Sequence, residues 1–150
     1  MAFPKTVPET TLQISRVYQA TREKLFRAWT NPETLKKWWG PEGCTPSRVE
    51  LDLRVGGLYR IGTCKTEAGE EIFVNGEFRE ITPPERLVFT WNWEPPGMEI
   101  EQTLVTVEFR NHSKGTELTL THERFPDEKT RDMHGFGWNS GFDCLEKFLA

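Results

Sequence analysis

The C-terminal segment from Asp127 to Ala150 constrains the fold more than any other part of the chain. Its apolar residues and glycines recur at steps of three and four, which predicts one long helix. One stripe of this helix consists of Met133, Gly137, Gly141, Cys144 and Phe148, and a second consists of Trp138, Phe142, Leu145 and Leu149. Together the two stripes are wider than the roughly 100° that a surface helix buries, so we expect the helix to lie in a groove.

Two glycines interrupt the inner stripe of the predicted helix. Gly137 and Gly141 each destabilise a helix interior by about 1 kcal/mol relative to alanine. Their missing side chains leave room for a closely packed sheet or for a ligand. The sequence therefore predicts a pocket beside this helix.

Length and composition indicate one acidic domain. We expect a single domain over residues 1–150, with residues 1–10 as a short leader that lacks the apolar run of a signal peptide or membrane span. A net charge of -4 argues against nucleic acid and membrane surfaces as partners. The three cysteines, Cys44, Cys64 and Cys144, are far apart and match no CxxC spacing, which predicts reduced thiols in a cytoplasmic protein.

The rest of the chain alternates like strands, except for two short helices near the start. Thr21 is a candidate N-cap of the first helix, and Asn31 followed by Pro32 predicts the start of the second. Short turns join most strands, so we expect an antiparallel sheet. The predicted strands are Leu12–Ala20, Arg48–Leu53, Leu58–Ile61, Ile72–Ile81 with Gly76 at a bulge or close approach, Arg86–Trp93, Thr103–Asn111 and Thr116–His122.

Six strings along the chain carry a family resemblance. They are LFRAWTNPE at 25–33, WWGP at 38–41, DLRVGG at 52–57, PPERLVFTW at 83–91, LTLTHERF at 118–125 and HGFGW at 134–138. In this order they resemble the SRPBCC (START-like, helix-grip) superfamily, and within it the branch related to the activator of the heat-shock-protein-90 ATPase.

The resemblance implies an α+β helix-grip (START/Bet v-like) fold. In this fold a curved antiparallel sheet of about six to seven strands holds a long C-terminal helix packed across it, with two short helices after the first strand and a cavity between sheet and helix. The functions of the superfamily include hydrophobic ligand carriage, polyketide cyclisation and chaperone cofactor work in the stress response. We expect this chain to lack the additional N-terminal domain of the full chaperone activator, which weakens the chaperone interpretation.

Aromatic residues are the main candidates for the lining of such a cavity. Six tryptophans in a small domain favour a cavity, because each buried indole N–H needs an acceptor, although aromatic stripes are also typical of a plain core. Phe136 belongs to the same aromatic set. The predicted ligand-binding residues are Trp38, Trp39, Phe73, Trp91, Trp93, His122, Met133, His134, Gly137, Trp138 and Gly141.

The histidines allow a second interpretation. If His122 and His134 face the cavity, they could serve as an acid and base, with Glu123 as a further candidate. The alternative is a buried His122 with hydrogen bonds to its neighbours and a surface His134. No residues have the spacing of a metal site, and we expect neither a metal nor a cofactor.

Three classes of function remain open from the sequence. The favoured class is binding of a small, largely hydrophobic molecule. A cyclase or dehydratase acting on an aromatic or polyketide-like substrate is the second, and an adaptor that stimulates a chaperone ATPase is the third. The sequence does not distinguish a monomer from a homodimer.

Overall fold

The structure, a computed structural model, describes residues 10–40, 43–44, 46–65, 69–94 and 101–150, apart from the Cys64 side chain. The predicted leader lies outside these residues, except for Thr10. The elements are β1 (Leu12–Tyr18), α1 (Arg22–Thr30), α2 (Pro32–Trp38), β2 (Val49–Leu51), β3 (Leu58–Lys65), β4 (Glu71–Thr82), β5 (Arg86–Trp93), β6 (Thr103–His112), β7 (Gly115–Glu123) and α3 (Glu128–Leu149). Within the described chain, no helix has the length and apolar character needed to cross a membrane.

The strands form one antiparallel sheet in the order β1-β7-β6-β5-β4-β3-β2. All neighbours in this sheet are consecutive in the chain except the first, because β1 pairs with β7 from Leu12 opposite His122 to Tyr18 opposite Thr116. The two short helices follow β1, and α3 ends the chain. The predicted α+β helix-grip fold is confirmed.

Capping residues set the beginnings of the three helices. The Thr21 side chain accepts the Lys24 N–H, and Asn31 Oδ1 accepts the Glu33 N–H at 2.9 Å. The long helix begins where Asp127 Oδ1 accepts the Thr130 N–H at 2.8 Å. Each cap hydrogen-bonds a backbone donor that the first helical turn leaves free, which is why the helices begin at these positions.

The long helix packs its predicted apolar face against the inner side of the sheet. Phe142 and Leu145 are fully buried there. The first strand also holds the helix through polar contacts, since the Tyr18 hydroxyl donates to the Phe142 carbonyl at 3.2 Å and Arg16 pairs with Asp143 at 2.6 Å. The C-terminal half of α3 is therefore fixed to the edge of the sheet.

A close approach in the sheet explains one predicted glycine. A Cβ atom at Gly76 would lie 2.0 Å from the Thr90 carbonyl oxygen and 2.7 Å from the Tyr59 ring, so only glycine fits. Tyr59 lies across this position and donates its hydroxyl to that carbonyl oxygen. The prediction of a close approach at Gly76 is confirmed.

The cysteines depart in part from the predicted reduced state. Cys144 is free, as predicted, whereas Cys44 is disulfide-bonded, so the prediction is wrong at that position. Sequence spacing alone does not reveal which cysteines meet in space, because a disulfide requires only that two Cα atoms lie about 4.4–6.8 Å apart in the fold.

We predict opposite effects of adding one methyl group at two glycines. Gly76→Ala would destabilise the protein by about 3 kcal/mol, because the new Cβ overlaps backbone. Gly137→Ala would stabilise it by up to about 1 kcal/mol, because a Cβ there meets no atom within 4 Å and alanine is the better helix former. Urea unfolding of both variants measures the difference, and equal free energies of unfolding would contradict the packing described here.

Candidate functional site

A cavity of about 300 Å³ lies between α3 and the sheet. It is bounded by the end of α2, by the facing ends of β3 and β4, by the end of β5 and by the N-terminal half of α3. Its lining residues are Trp38, Trp39, Gly40, Thr63, Ile72, Trp91, Trp93, Met133, His134, Phe136, Gly137, Trp138 and Gly141.

The two glycines of α3 give the cavity its space. A Cβ atom at Gly137 would meet nothing within 4 Å, so this part of the helix faces an open volume. At Gly141 the nearest atom to such a Cβ would be the Gly40 carbonyl oxygen, 3.5 Å away. The helix thus approaches the end of α2 closely at Gly141 and faces the opening one turn earlier.

Indole rings form the deep wall of the cavity. Trp39 meets Trp138 edge to face at 5.5 Å between ring centroids, and Trp91 lies 5.2 Å from Trp138. The Trp38 N–H donates to the Ala28 carbonyl at 2.9 Å, which fixes that ring. Edge-to-face packing of this kind adds to the burial of apolar area, so the wall is firmly packed.

At the rim of the cavity, Trp93 of β5 is joined to His134 of α3. The Trp93 indole N–H donates to His134 Nε2 at 2.9 Å. An indole nitrogen only donates, so Nε2 must accept, and the proton of the neutral imidazole lies on Nδ1, which donates to the Thr130 carbonyl at 2.8 Å. Both ring nitrogens of His134 are therefore engaged.

Beneath the lining, a second histidine is held in the same way. The Trp138 indole N–H donates to His122 Nδ1 at 3.1 Å. The proton therefore lies on Nε2, which donates to Thr103 Oγ1 at 2.7 Å, and the Thr103 hydroxyl in turn donates to the Trp91 carbonyl. His122 is 0% exposed and lies outside the cavity lining.

Both histidines are held neutral. Burial lowers the pKa of His122 well below its usual value, and the neighbouring His134 lowers it further. Burial also lowers the pKa of His134, although its hydrogen bond to the Thr130 carbonyl acts in the opposite direction. Taking up a proton would place an N–H against an indole N–H donor, so neither ring is available as an acid or a base in this arrangement.

The structure brings most of the predicted ligand-binding residues together around the cavity. Those in the lining are Trp38, Trp39, Trp91, Trp93, Met133, His134, Gly137, Trp138 and Gly141. Met133 and Phe136 stand at its rim and are 50% and 78% exposed. These two side chains therefore border the opening to solvent.

The structure places two of the predicted ligand-binding residues, Phe73 and His122, outside the cavity lining. Phe73 lies under the Arg60 guanidinium, 3.7 Å from its ring centroid, whereas the adjacent Ile72 lines the cavity. Neighbouring residues of a strand point to opposite faces, so Phe73 points away from the cavity. Glu123 likewise follows the inward-pointing His122 on β7, so the proposed pair of these residues is not assembled.

Gly40, Thr63 and Ile72 are lining residues that the sequence reasoning missed. Ile72 was detectable, because it shares the alternation of the buried Val74. Thr63 required the hairpin register, since β3 extends to Lys65 and not only to Ile61 as predicted. Gly40 carried only the signal of a helix end.

The fold and its cavity first define the class of the protein. A seven-stranded antiparallel sheet with a long C-terminal helix across its inner face and an apolar cavity between them is the helix-grip architecture of the SRPBCC type. A family model described as "Activator of Hsp90 ATPase homolog 1-like protein" matches residues 19–150. The chain belongs to this family.

Solved structures of bacterial proteins are similar over nearly the whole chain. A protein from Chromobacterium violaceum is 29% identical with a TM-score of 0.83, covering 93% of this chain and 96% of that one. A protein from Nitrosomonas europaea is 27% identical with a TM-score of 0.79, covering 96% of each chain. The AHSA1 protein from Silicibacter pomeroyi is 25% identical with a TM-score of 0.78, covering 93% of this chain and 96% of that one. No curated protein matches the chain.

The lowered pKa of both histidines predicts a loss of stability in mild acid. In the unfolded chain both histidines take up protons near their ordinary pKa of 6.5, whereas in the folded protein their pKa values are lower. The folded protein therefore has its full stability above pH 6.5 and loses stability as the pH falls below that value. Each histidine contributes a loss of up to about 1.4 kcal/mol per pH unit. Urea unfolding from about pH 7 to about pH 5 measures this slope.

Two variants show whether the buried His122 ring causes this dependence of the free energy of unfolding on pH. His122→Gln would flatten the pH dependence of the free energy of unfolding, because one of the two linked protonation sites is removed. His112→Gln, at the exposed end of β6, is the matched control and would keep the wild-type slope. An unchanged slope in His122→Gln would show that His122 is not held neutral by the fold.

Proposed function

We propose that the protein binds a small, largely hydrophobic molecule in the cavity between the sheet and α3. The observation that carries this proposal is the 300 Å³ volume lined almost entirely by indole rings and other apolar groups. Ligand sites are typically concave, about 300–1,000 Å³ in volume and mostly hydrophobic, with few polar groups. The cavity has the size and the lining of such a site.

The energetics favour occupation by an apolar molecule. An apolar cavity of about 150 Å³ excludes water and binds benzene, so a cavity of twice that volume accommodates a larger ring system. Apolar area removed from water contributes about 25 cal/mol per Å². The exposed side chains of Met133 and Phe136 at the rim add apolar contact for an entering molecule.

Binding without reaction is the form of the proposal that the site supports best. His134 is the titratable side chain of the described lining, and both of its nitrogens are already engaged. The cyclase interpretation required a free acid or base at His122 or His134. The observed hydrogen bonds give that interpretation no support.

A chaperone partner and a cytoplasmic location remain predictions from the sequence. A chaperone partner rests on the family description and on no contact of the described residues. A cytoplasmic location was inferred from reduced cysteines, and that argument does not extend to Cys44, which is disulfide-bonded.

Filling the cavity tests the proposal. Gly137→Leu would extend a side chain into the open volume, because a Cβ at this position meets nothing within 4 Å. We predict at least a tenfold loss of affinity for phenylnaphthylamine, an uncharged probe that fluoresces in apolar surroundings, from roughly 1.4 kcal/mol of lost contact. Fluorescence titration measures the dissociation constant.

A leucine elsewhere on the same helix is the matched control. Glu146→Leu places the same side chain at an exposed position of α3 outside the lining and would leave the dissociation constant unchanged. Urea unfolding of both variants shows that each is folded. Equal affinities for the probe in the two variants, or no binding by the wild-type protein, would refute the proposal.

A further inference from the structure

The polar groups around the cavity are few and uncharged. Among the described residues, the lining has Thr63 and His134 as its polar side chains besides the indoles, and it has no Asp, Glu, Lys or Arg. A cavity for a fatty acid or another anion needs a cation or several free donors to replace the water around the carboxylate. The composition of this lining therefore favours an uncharged ligand.

The donors of these polar groups are turned to protein acceptors and not to the cavity. The Thr63 hydroxyl donates to the Ile72 carbonyl at 2.8 Å, and His134 Nδ1 donates to the Thr130 carbonyl. Two indole N–H groups are engaged as well, that of Trp138 by His122 and that of Trp93 by His134. These groups offer no free proton to an anion.

The Trp91 indole has no such acceptor among the described residues. Its indole N–H is buried without a hydrogen-bond partner there. Because the nitrogen atom itself is buried, with less than 1 Å² accessible, it presents no donor surface to an anion in the cavity. The Trp91 ring contributes its apolar surface to the wall.

Charges on the same strands are paired on the opposite side of the sheet. Arg60 of β3 and Glu94 after β5 form a bidentate salt bridge, with the Arg60 Nε 2.9 Å from a Glu94 oxygen, and Asn75 donates to the same carboxylate. This pairing raises the pKa of Arg60 and lowers the pKa of Glu94, so both remain ionised. The guanidinium lies over Phe73, which points away from the cavity.

We propose that the cavity selects uncharged aromatic molecules and rejects carboxylates of the same shape. This inference rests on the proposed binding function and specifies its ligand class. An aromatic ring matches the wall of closely packed indole rings that Trp39, Trp91 and Trp138 form. A carboxylate would lose its hydration without gaining a cation or several free donors from the described lining, which we expect to weaken binding about 100-fold.

Two probes of matched shape test the inference directly. Methylnaphthalene and naphthoate, substituted at the same ring position, differ in one ionised group at neutral pH. Isothermal titration of the wild-type protein would give a dissociation constant about 100-fold larger for naphthoate. Similar constants, or tighter binding of naphthoate, would overturn the inference and leave the binding function standing.

A variant with a cation at the rim supplies the complementary test. Met133→Lys would place an ammonium group beside the opening, and Met133→Gln is the uncharged control of similar length. The ratio of the two dissociation constants is the readout, because both substitutions alter the rim for both probes. We expect Met133→Lys to favour naphthoate at least about tenfold relative to Met133→Gln, as a partner charge compensates a carboxylate.

The outcomes separate the two proposals. Equal ratios in Met133→Lys and Met133→Gln would overturn the inference that the absence of a cation excludes carboxylates. If neither probe binds the wild-type protein, the binding function itself fails, and the inference fails with it. Both proposals are supported if the wild-type protein binds methylnaphthalene more tightly than naphthoate and Met133→Lys reduces this difference.

Discussion

Two hydrogen bonds from indole N–H groups to imidazole nitrogens hold the N-terminal half of the long helix over the sheet. Trp93 on β5 donates to His134 on α3, and Trp138 on α3 donates to His122 on β7. A buried donor without an acceptor is destabilising by about 1–3 kcal/mol, so each pair fixes the distance between helix and sheet. The helix cannot settle further onto the sheet without breaking these bonds.

The cavity follows from this fixed spacing combined with missing side chains. Gly137 has no side chain to fill the space beneath the helix, and Gly141 allows the helix to approach the Gly40 carbonyl. The Trp38 ring is tied to α1 through the Ala28 carbonyl, so it does not swing inward to fill the volume. The same interactions that keep the histidines neutral thus also keep an apolar space open beside them.

Much of this arrangement could be predicted from the sequence, and the remainder depended on register. The Asn31-Pro32 helix start, the close approach at Gly76 and the glycine-containing face of α3 were visible, because local chemistry determines them. From the sequence, Phe73 was predicted in the lining where the structure has Ile72, because a shift of one residue in the alternation of a strand reverses its two faces. The His122 hydrogen bond to Thr103 was hidden, since it depends on the pairing of β6 with β7, which sets Val105 opposite His122 and brings the Thr103 hydroxyl within 2.7 Å of the ring.

The central claim is that an apolar volume persists between α3 and β5, and xenon binding tests it most directly. Dry apolar cavities take up xenon under pressure, so a crystal of this protein would show a xenon atom, or a retained molecule, between Gly137 and the Trp91 ring. The account predicts this density in the wild-type protein and its absence in Gly137→Leu. A wild-type crystal in which the indole rings fill the volume and no xenon enters would contradict it.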